Sequence, residues 1–264
     1  MQRGDRIGRY ELGELLGEGG QGRVFRAVRD DGLAVAIKVL AAELAGSELA
    51  RARFAREQLA TERVEHDNAV RVLDAGALPS GRGYLVTELL EGSSLAAELA
   101  ASGPPPIARA QTIVRACAAT LAHAHGLGVI HRDVKPSNVF LLADGRVKLL
   151  DFGLARVAGQ RSLTGPGAML GTPTYVAPEQ TYTKAGPPAD VYALGCVLFE
   201  LLAGRPPFLG GAVAVIRAHL REPPPTLATL APQPIPPALA ALVTQMLAKD
   251  PLARPTAAAV AEHL

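Results

Sequence analysis

Residues 16–40 read "LGEGGQGRVFRAVRDDGLAVAIKVL", and this stretch decides between two folds. Gly17, Gly19 and Gly22 form a G-x-G-x-x-G run, a pattern that lets backbone N–H groups approach phosphate oxygens. The same run begins a strand–turn–helix unit for a dinucleotide and a strand–turn–strand unit that covers the phosphates of ATP. Taken alone, the run is too common to distinguish the two.

The residues after the third glycine favour the strand–turn–strand unit. Residues 22–30 alternate with period two, and Asp31-Gly32 is a hairpin signal before the apolar run 33–40. A dinucleotide site needs a helix that begins at the third glycine. Glu43 lies about as far along the sequence from the glycines as the ribose-binding acid of a dinucleotide site. Without the helix, that coincidence carries little weight. The chain has no G-K-[ST], so a P-loop is excluded as well.

Composition indicates a globular protein of one large domain or two lobes. The 264 residues are 48% hydrophobic and 20% charged, which is ordinary for such proteins. The net charge of +2 argues against nucleic acid as a partner. Cys117 and Cys196 lie in separate apolar segments without metal-ligand spacing, so we expect core thiols of a reduced, cytoplasmic protein.

No membrane segment is predicted within the chain. The longest apolar run, residues 193–204, is too short to span a bilayer and carries Glu200. The first ten residues lack the apolar stretch of a signal peptide. Because the chain stops in a helical pattern without a cap, we expect a domain of a longer protein, for which a membrane anchor beyond residue 264 stays open.

The pattern of apolar residues changes near residue 92, from the alternation typical of strands to the spacing typical of helices. Further strands are predicted at 10–16, 69–76 and 83–90, and helices at 47–65, 108–126 and 190–203. The proline-rich segment 222–237 is read either as a ligand for a proline-binding module or as a surface connection between helices, and the second reading is favoured. The sequence thus predicts a small strand-rich lobe followed by a larger helical lobe.

Lys38 is the one charge in the apolar strand that contains "VAIK" (35–38). A buried ammonium is costly unless it meets an anion. That anion could be the phosphate oxygens under the glycine turn or a carboxylate from the next helix. A lysine that reaches solvent from a strand end is the alternative.

A second polar cluster lies in "HRDVKPSNVFLL" (131–142), between a predicted helix and an apolar strand. The Asp133 carboxylate can accept a hydroxyl proton, the Lys135 ammonium can neutralise a transferring phosphate, and the Asn138 amide oxygen can ligate a divalent ion. An ordinary polar loop is the alternative, although it would not usually carry this ordered set.

A third cluster lies in "VKLLDFGLAR" (147–156). Asp151 follows an apolar strand, so its carboxylate emerges at the strand's end as a hard oxygen ligand suited to Mg²⁺. Phe152 is apolar and adjacent, as if to insert that turn into a core.

These motifs together resemble a Hanks-type Ser/Thr protein kinase of the bacterial, eukaryote-like kind. The glycine run, V-A-I-K, H-R-D-x-K-P-x-N, D-F-G, G-T-x-x-Y-x-A-P-E and D-V-Y-x-L-G occur in the family's order, from about Tyr10 to the end. The resemblance implies an α+β, bilobal protein-kinase fold. Its N-lobe, a small antiparallel sheet with one main helix, spans about 10–87, its hinge 88–91, and its larger, mostly helical C-lobe about 92–264.

The implied activity is transfer of the ATP γ-phosphate to Ser/Thr hydroxyls of proteins with Mg²⁺, Mn²⁺ being the alternative metal. By this resemblance Lys38 holds the α- and β-phosphates and pairs with Glu57. Asp133 orients and deprotonates the substrate hydroxyl, and Lys135 two residues later is the Ser/Thr-kinase pattern. Thr172 hydrogen-bonds the catalytic Asp and Lys. The implied metal ligands are Asn138 and Asp151.

The resemblance also implies where adenine binds. The base lies against the backbone of Glu88-Leu89-Leu90, with Val24 and Ala36 on one side and Phe140 on the other. Thr87 falls at the gatekeeper position. The nucleotide-binding residues are therefore Gly17, Gly19, Gly22, Val24, Ala36, Lys38, Thr87, Glu88, Leu90 and Phe140.

Further residues take structural or regulatory roles by the same resemblance. Glu179 pairs with Arg254, and Asp190 anchors the catalytic loop's backbone. The other structural residues are Arg132, Phe152 and Gly153. Residues between Asp151 and Glu179 form the activation loop, with Thr164 as its autophosphorylation site and Ser162 as the alternative. Arg132 and Arg156 would bind that phosphate. Homodimerisation through the N-lobe is common among relatives.

Two other functions stay open at this point. A pseudokinase scaffold normally loses the lysine or one of the two aspartates, and all three are present. A small-molecule kinase should lack Ala177-Pro178-Glu179 and Thr172. The departures from the family pattern are Gln21 in the glycine loop and Thr61, where a larger apolar residue often packs behind Phe152.

Overall fold

The chain forms two compact units in its computed structural model. The structure describes residues 1–20, 22–41, 64–152, 173–182 and 185–264. Unit 1 takes its described residues from Met1–Glu65 and Val70–Glu91, and unit 2 takes its described residues from His66–Ala69, Gly92–Phe152 and Ser162–Leu264. Unit 1 is an antiparallel sheet and unit 2 is mostly helical, so the predicted α+β class is confirmed.

Unit 1 is a six-stranded antiparallel sheet. Its strands are β1 (Arg6–Ile7), β2 (Tyr10–Gly19), β3 (Gly22–Arg29), β4 (Ala34–Leu40), β5 (Val72–Ala77) and β6 (Gly83–Glu88), in the order β1-β2-β3-β4-β6-β5. Gly19 pairs with Gly22 across the turn between β2 and β3. The third glycine therefore begins a strand, which confirms the strand–turn–strand prediction.

One face of this sheet is covered by the unit's own apolar residues. Val35, Ile37 and Val39 alternate along β4 and are buried. They pack in one cluster with other buried side chains, including Ile7, Tyr10, Leu12 and Phe25. Because side chains alternate across a strand, Ala36 and Lys38 point to the opposite face.

Unit 2 combines a small sheet with helices. Its strands are β7 (Gly92–Ser94), β8 (Val139–Leu142) and β9 (Val147–Leu149), paired in that order. Its described helices are α1 (Leu95–Ser102), α2 (Ile107–Gly126), α3 (Pro187–Ala203), α4 (Ala212–Arg221), α5 (Leu227–Leu230), α6 (Pro237–Met246) and α7 (Ala257–His263). Single 3₁₀ turns lie at Pro136–Asn138, Pro178–Thr181 and Pro251–Ala253.

Helix α3 is the buried centre of unit 2. It begins three residues before the predicted 190–203, at Pro187, because proline is favourable in a first turn, where its missing N–H costs nothing. It ends before Gly204, whose φ of +73° suits a left-handed cap. Nearly every α3 side chain is buried, so α3 is enclosed on all sides and lacks a polar face.

Residues His66–Ala69 group with unit 2 rather than with the strand predicted at 69–76. The Asn68 side chain donates to the carbonyl of Val147 at 2.9 Å, and the Leu149 N–H donates to the carbonyl of Asn68 at 2.7 Å. The backbone here is therefore engaged by β9, and strand β5 begins only at Val72.

The remaining sequence features have ordinary structural settings. The proline-rich segment connects α4 to α6 and contains only the short helix α5, as the favoured reading required. Cys117 and Cys196 are buried and unbonded to each other, and burial raises the pKa of the Cys117 thiol to about 12. Among the described helices, none combines the length and the apolar character that a bilayer crossing needs.

Candidate active site

The strand register of unit 1 gathers predicted nucleotide-binding residues on one sheet face. Val24 lies opposite Lys38, and Ala36 lies opposite Thr87. Residues that lie opposite one another in antiparallel strands point to the same side, and Ala36 and Lys38 are two residues apart. The face opposite the apolar cluster therefore presents Val24, Ala36, Lys38 and Thr87 together.

The three glycines of the turn differ in what they accommodate. Gly22 has a φ of +140°, and a Cβ there would lie 2.1 Å from the Val39 carbonyl oxygen, so the hairpin itself requires this glycine. A Cβ at Gly17 or Gly19 would meet no described heavy atom within 4 Å, and neither residue has a left-handed φ. Their missing side chains fit the close approach of a ligand to the backbone.

Around Asp133, unit 2 holds a compact polar cluster. The 3₁₀ turn Pro136–Asn138 brings the side chain of Lys135, just before it, and that of Asn138, its last residue, back onto this carboxylate. Lys135 Nζ donates to Asp133 Oδ2 at 2.7 Å. Asn138 Nδ2 donates to the Asp133 carbonyl at 2.7 Å and to Oδ2 at 3.1 Å. The carboxylate is thereby oriented by two donors, as a general base must be.

Asn138 and Asp151 are the oxygen donors that fit a magnesium ion. Because the Asn138 amide nitrogen is bonded to Asp133, its Oδ1 is the end that can ligate a cation. The Leu150 N–H donates to the Asn138 carbonyl at 2.8 Å, which ties this turn to the residue before Asp151. Nowhere in the described ranges do three or more His, Cys, Asp or Glu side chains form a metal cage. The set therefore suits Mg²⁺ that arrives with a nucleotide, since this ion commonly uses one or two carboxylates plus phosphate oxygens.

Two residues of this site have a left-handed backbone. Arg132 has a φ of +68° and Asp151 a φ of +59°, and they are the only non-glycine residues with positive φ in the part of the chain that the structure describes. Such conformations cost about 1–3 kcal/mol each and persist where surrounding contacts enforce them. Asp190 supplies contacts of that kind, because its carboxylate accepts from the N–H groups of His131 at 2.9 Å and Arg132 at 2.7 Å.

Sequence reasoning assigned no role to His131, which connects Asp133 to the residues on either side of Asp151. Its ring is fully buried. Nε2 lies 2.7 Å from the Leu150 carbonyl, which can only accept, so Nε2 carries the hydrogen. Nδ1 then accepts the Asp133 N–H at 3.3 Å, and the ring lies 4.7 Å from that of Phe152. The available signal was its place in the H-R-D motif, but the role depends on contacts with Leu150 and Phe152, which follow β9.

Sequence reasoning also assigned no role to His125, because its role depends on a contact with a residue distant in the sequence. Its Nε2 lies 2.8 Å from Asp190 Oδ2, and Asp190 is only 1% exposed. The histidine therefore adds a third contact to the carboxylate that holds the backbone of His131 and Arg132.

The other predicted residues are placed as follows. Arg254 makes a bidentate ion pair with Glu179 at 2.7 and 2.9 Å. Glu88 ends β6, and its carboxylate accepts the Arg71 N–H at 2.8 Å. Leu90 follows that strand in unit 1, whereas Phe140 lies in β8 of unit 2. The predicted residues Glu57, Gly153, Ser162, Thr164 and Thr172, together with Gln21, Thr61 and Arg156, lie outside the described residues.

The antiparallel sheet with its glycine turn, followed by a helical unit that bears the Asp133 cluster, defines a protein kinase. Residues 10–264 match the protein kinase domain family, and the chain belongs to this family.

Within the family, the chain is similar to named mycobacterial Ser/Thr kinases. It is 39% identical to serine/threonine-protein kinase PknD of Mycobacterium tuberculosis over 256 residues, 96% of this chain and 38% of PknD. It is 40% identical to PknB of Mycobacterium leprae over 260 residues, 92% of this chain and 40% of PknB. It is 38% identical to PknA of Mycobacterium tuberculosis over 254 residues, 94% of this chain and 58% of PknA. The chain therefore spans between 38% and 58% of the length of these relatives.

Proposed function

We propose that this chain is the catalytic domain of a serine/threonine protein kinase that transfers the γ-phosphoryl group of ATP to hydroxyls of protein substrates. The observation that carries the proposal is the Asp133 carboxylate held by Lys135 and Asn138. The names of the relatives support the same activity. Mg²⁺ is the metal proposed, with Mn²⁺ as the alternative.

In the proposed reaction, Asp133 accepts the proton of a Ser or Thr hydroxyl. The hydroxyl oxygen forms a bond to the γ-phosphorus as the bond to the β–γ bridging oxygen breaks, and ADP leaves. Lys135, 2.7 Å from Asp133 Oδ2, places positive charge beside the transferring group. Lys38 holds the α- and β-phosphates, and Asn138 and Asp151 hold the metal, which when bound neutralises phosphate charge. Most of the rate comes from positioning and charge neutralisation.

Transfer of label from γ-labelled ATP to myelin basic protein tests this function. We expect phosphoserine and phosphothreonine without phosphotyrosine, and loss of transfer when EDTA removes the metal, with recovery on added Mg²⁺. Nucleotide binding without transfer, even after treatment with an active related kinase, would contradict the proposal and indicate a scaffold. Transfer to a small molecule but to no protein would also contradict it.

Alanine at Gly17 and at Gly22 is expected to have different consequences. Gly17→Ala should leave Tm unchanged and raise KM for ATP several-fold, because the added Cβ points into space that the described chain does not fill. Gly22→Ala should lower Tm, because its Cβ would overlap the Val39 carbonyl. Thermal unfolding and an ATP titration measure both. A lowered Tm in Gly17→Ala with unchanged KM for ATP would show that this glycine serves packing.

We further propose that the domain phosphorylates its own activation loop at Thr164. The support is the position of Thr164 eight residues before Thr172 and the resemblance to bacterial kinases. Mass spectrometry of the autophosphorylated protein should place phosphate on Thr164. Phosphate on Ser162 alone, with Thr164→Ala fully active, would overturn this site. We also propose a cytoplasmic location for the domain and homodimerisation through its N-lobe, and both rest on the resemblance to bacterial kinases.

A further inference from the structure

His219 in α4 is a buried histidine that the proposed reaction does not use. It is fully buried, and its Nε2 lies 2.9 Å from the Thr174 carbonyl oxygen. Because a carbonyl can only accept, Nε2 carries the hydrogen and Nδ1 is the acceptor. Nδ1 lies 2.9 Å from the hydroxyl of Tyr192, which therefore donates to it. Lys249 Nζ in turn donates to that hydroxyl oxygen at 3.2 Å.

This chain of donors has one direction, from Lys249 through Tyr192 and His219 to the Thr174 carbonyl. Burial lowers the pKa of His219 to about 4, so the ring stays neutral near pH 7 and Nδ1 remains an acceptor. Burial raises the pKa of Tyr192, so its hydroxyl remains a donor. Phe208 packs edge-on against the histidine ring, with centroids 4.9 Å apart. The ring is thus fixed in tautomer and orientation.

Thr174 belongs to a segment, residues 173–177, that is held from several sides. The Tyr175 hydroxyl donates to Glu200 Oε2 of α3 at 2.6 Å. The 3₁₀ turn that follows the segment contacts the backbone just before Asp133, because Gln180 Nε2 donates to the Arg132 carbonyl at 3.4 Å. The segment is therefore coupled to the residue directly before the proposed base.

This placement ties the segment, through Gln180, to the backbone of the residue that precedes Asp133. An extended substrate chain advances about 3.3 Å per residue. When its Ser or Thr hydroxyl lies at Asp133, the one or two substrate residues on either side must therefore contact the surface next to Asp133. Residues 174–176 are only partly buried, and the turn that follows them is tied to Arg132 through Gln180, so this segment can contact those flanking residues.

We propose that His219 is a positioning residue for the protein substrate. By holding the Thr174 carbonyl, it maintains residues 173–177 in the shape that receives the residues flanking the phosphorylated Ser or Thr. The inference rests on the proposed kinase function. It requires His219 to act on binding of the protein substrate and not on binding of ATP.

The test compares His219→Leu with His219→Gln, using myelin basic protein as substrate. Leucine removes the donor to Thr174, whereas the glutamine amide keeps an N–H near the position of Nε2. His219→Leu should raise KM for the protein about tenfold, the equivalent of one hydrogen bond of about 1.4 kcal/mol. KM for ATP should stay within about twofold, and His219→Gln should recover most of the loss. His263→Leu is the matched control, since His263 is exposed and its ring bonds the Ala259 carbonyl of its own helix.

Each outcome bears on the proposal. An unchanged KM for the protein in His219→Leu overturns it. A fall in kcat together with a comparable rise in both KM values, which glutamine does not rescue, also overturns it, because that pattern indicates damage to the fold. If leucine prevents folding, Tyr192→Phe, which removes the donor to His219 Nδ1, decides by the same split between the two KM values. Absence of transfer in the wild type that persists after treatment with an active related kinase, with normal Tm and ATP binding, overturns the proposed function itself.

Discussion

Asp133→Asn is expected to remove phosphoryl transfer while leaving the fold and nucleotide binding in place. Asparagine has the same shape, and its Oδ1 can still accept from Lys135, which lies 2.7 Å from the native carboxylate. The amide cannot take the hydroxyl proton. Loss of a general base costs about a hundred- to ten-thousandfold in rate, so kcat for transfer should fall by that factor, with Tm and KM for ATP close to wild type.

The matched control for this variant is Asp144→Asn. Asp144 lies in the turn between β8 and β9 of the same unit, is half exposed and pairs with its near neighbour Arg146. It should transfer phosphate at the wild-type rate. If Asp133→Asn kept more than about a tenth of wild-type kcat, well above the range for a lost general base, Asp133 would not be the base.

Arg254→Met should produce the largest loss of stability among single changes in unit 2. The guanidinium has five N–H donors, and five acceptors surround it: both oxygens of Glu179 and three backbone carbonyls, those of Pro188, Ala248 and Lys249. The exposed fractions of the two side chains are 0% and 6%. Methionine leaves the Glu179 carboxylate buried without its cation, which costs about 3–5 kcal/mol. Tm should fall by about 10 °C or more.

A second substitution separates the charge from the packing. Glu179→Met combined with Arg254→Met removes both charges and should recover part of the lost Tm, since an apolar pair avoids the desolvation of an unpaired carboxylate. Arg146→Met, which breaks the exposed pair with Asp144, should leave Tm unchanged. A double variant less stable than Arg254→Met would show that the arginine's contacts to backbone carbonyls, and not the buried charge, dominate.

Local sequence signals were sufficient for the elements nearest the glycine run. The alternation of 22–30 and the Asp31-Gly32 turn predicted a hairpin, and β3 and β4 form it. The helix predicted at 108–126 is α2, Ile107–Gly126. These predictions are confirmed because alternation, turn residues and helical spacing act over a few neighbouring residues.

Local signals failed where distant residues determine the backbone. Strand β5 begins at Val72 rather than at Ala69, because β9 takes the hydrogen bonds of residues 68 and 69. Lys148 of β9 lies 79 positions from Ala69, far outside a window of neighbouring sequence. The two-residue strand β1 was missed for a different reason: it is too short to show an alternation, although its partner β2 begins only three residues later.

The sequence by itself identified the family of this protein and predicted its reacting groups. Lys38, Asp133, Asn138 and Asp151 were named from their place in ordered motifs, because the chemistry of phosphoryl transfer demands those side chains. The roles of His131 and His219 were decided only by the tertiary structure. Each histidine binds a carbonyl from a distant part of the chain, Leu150 or Thr174, and a contact between residues 19 or 45 positions apart exists only after packing brings them together.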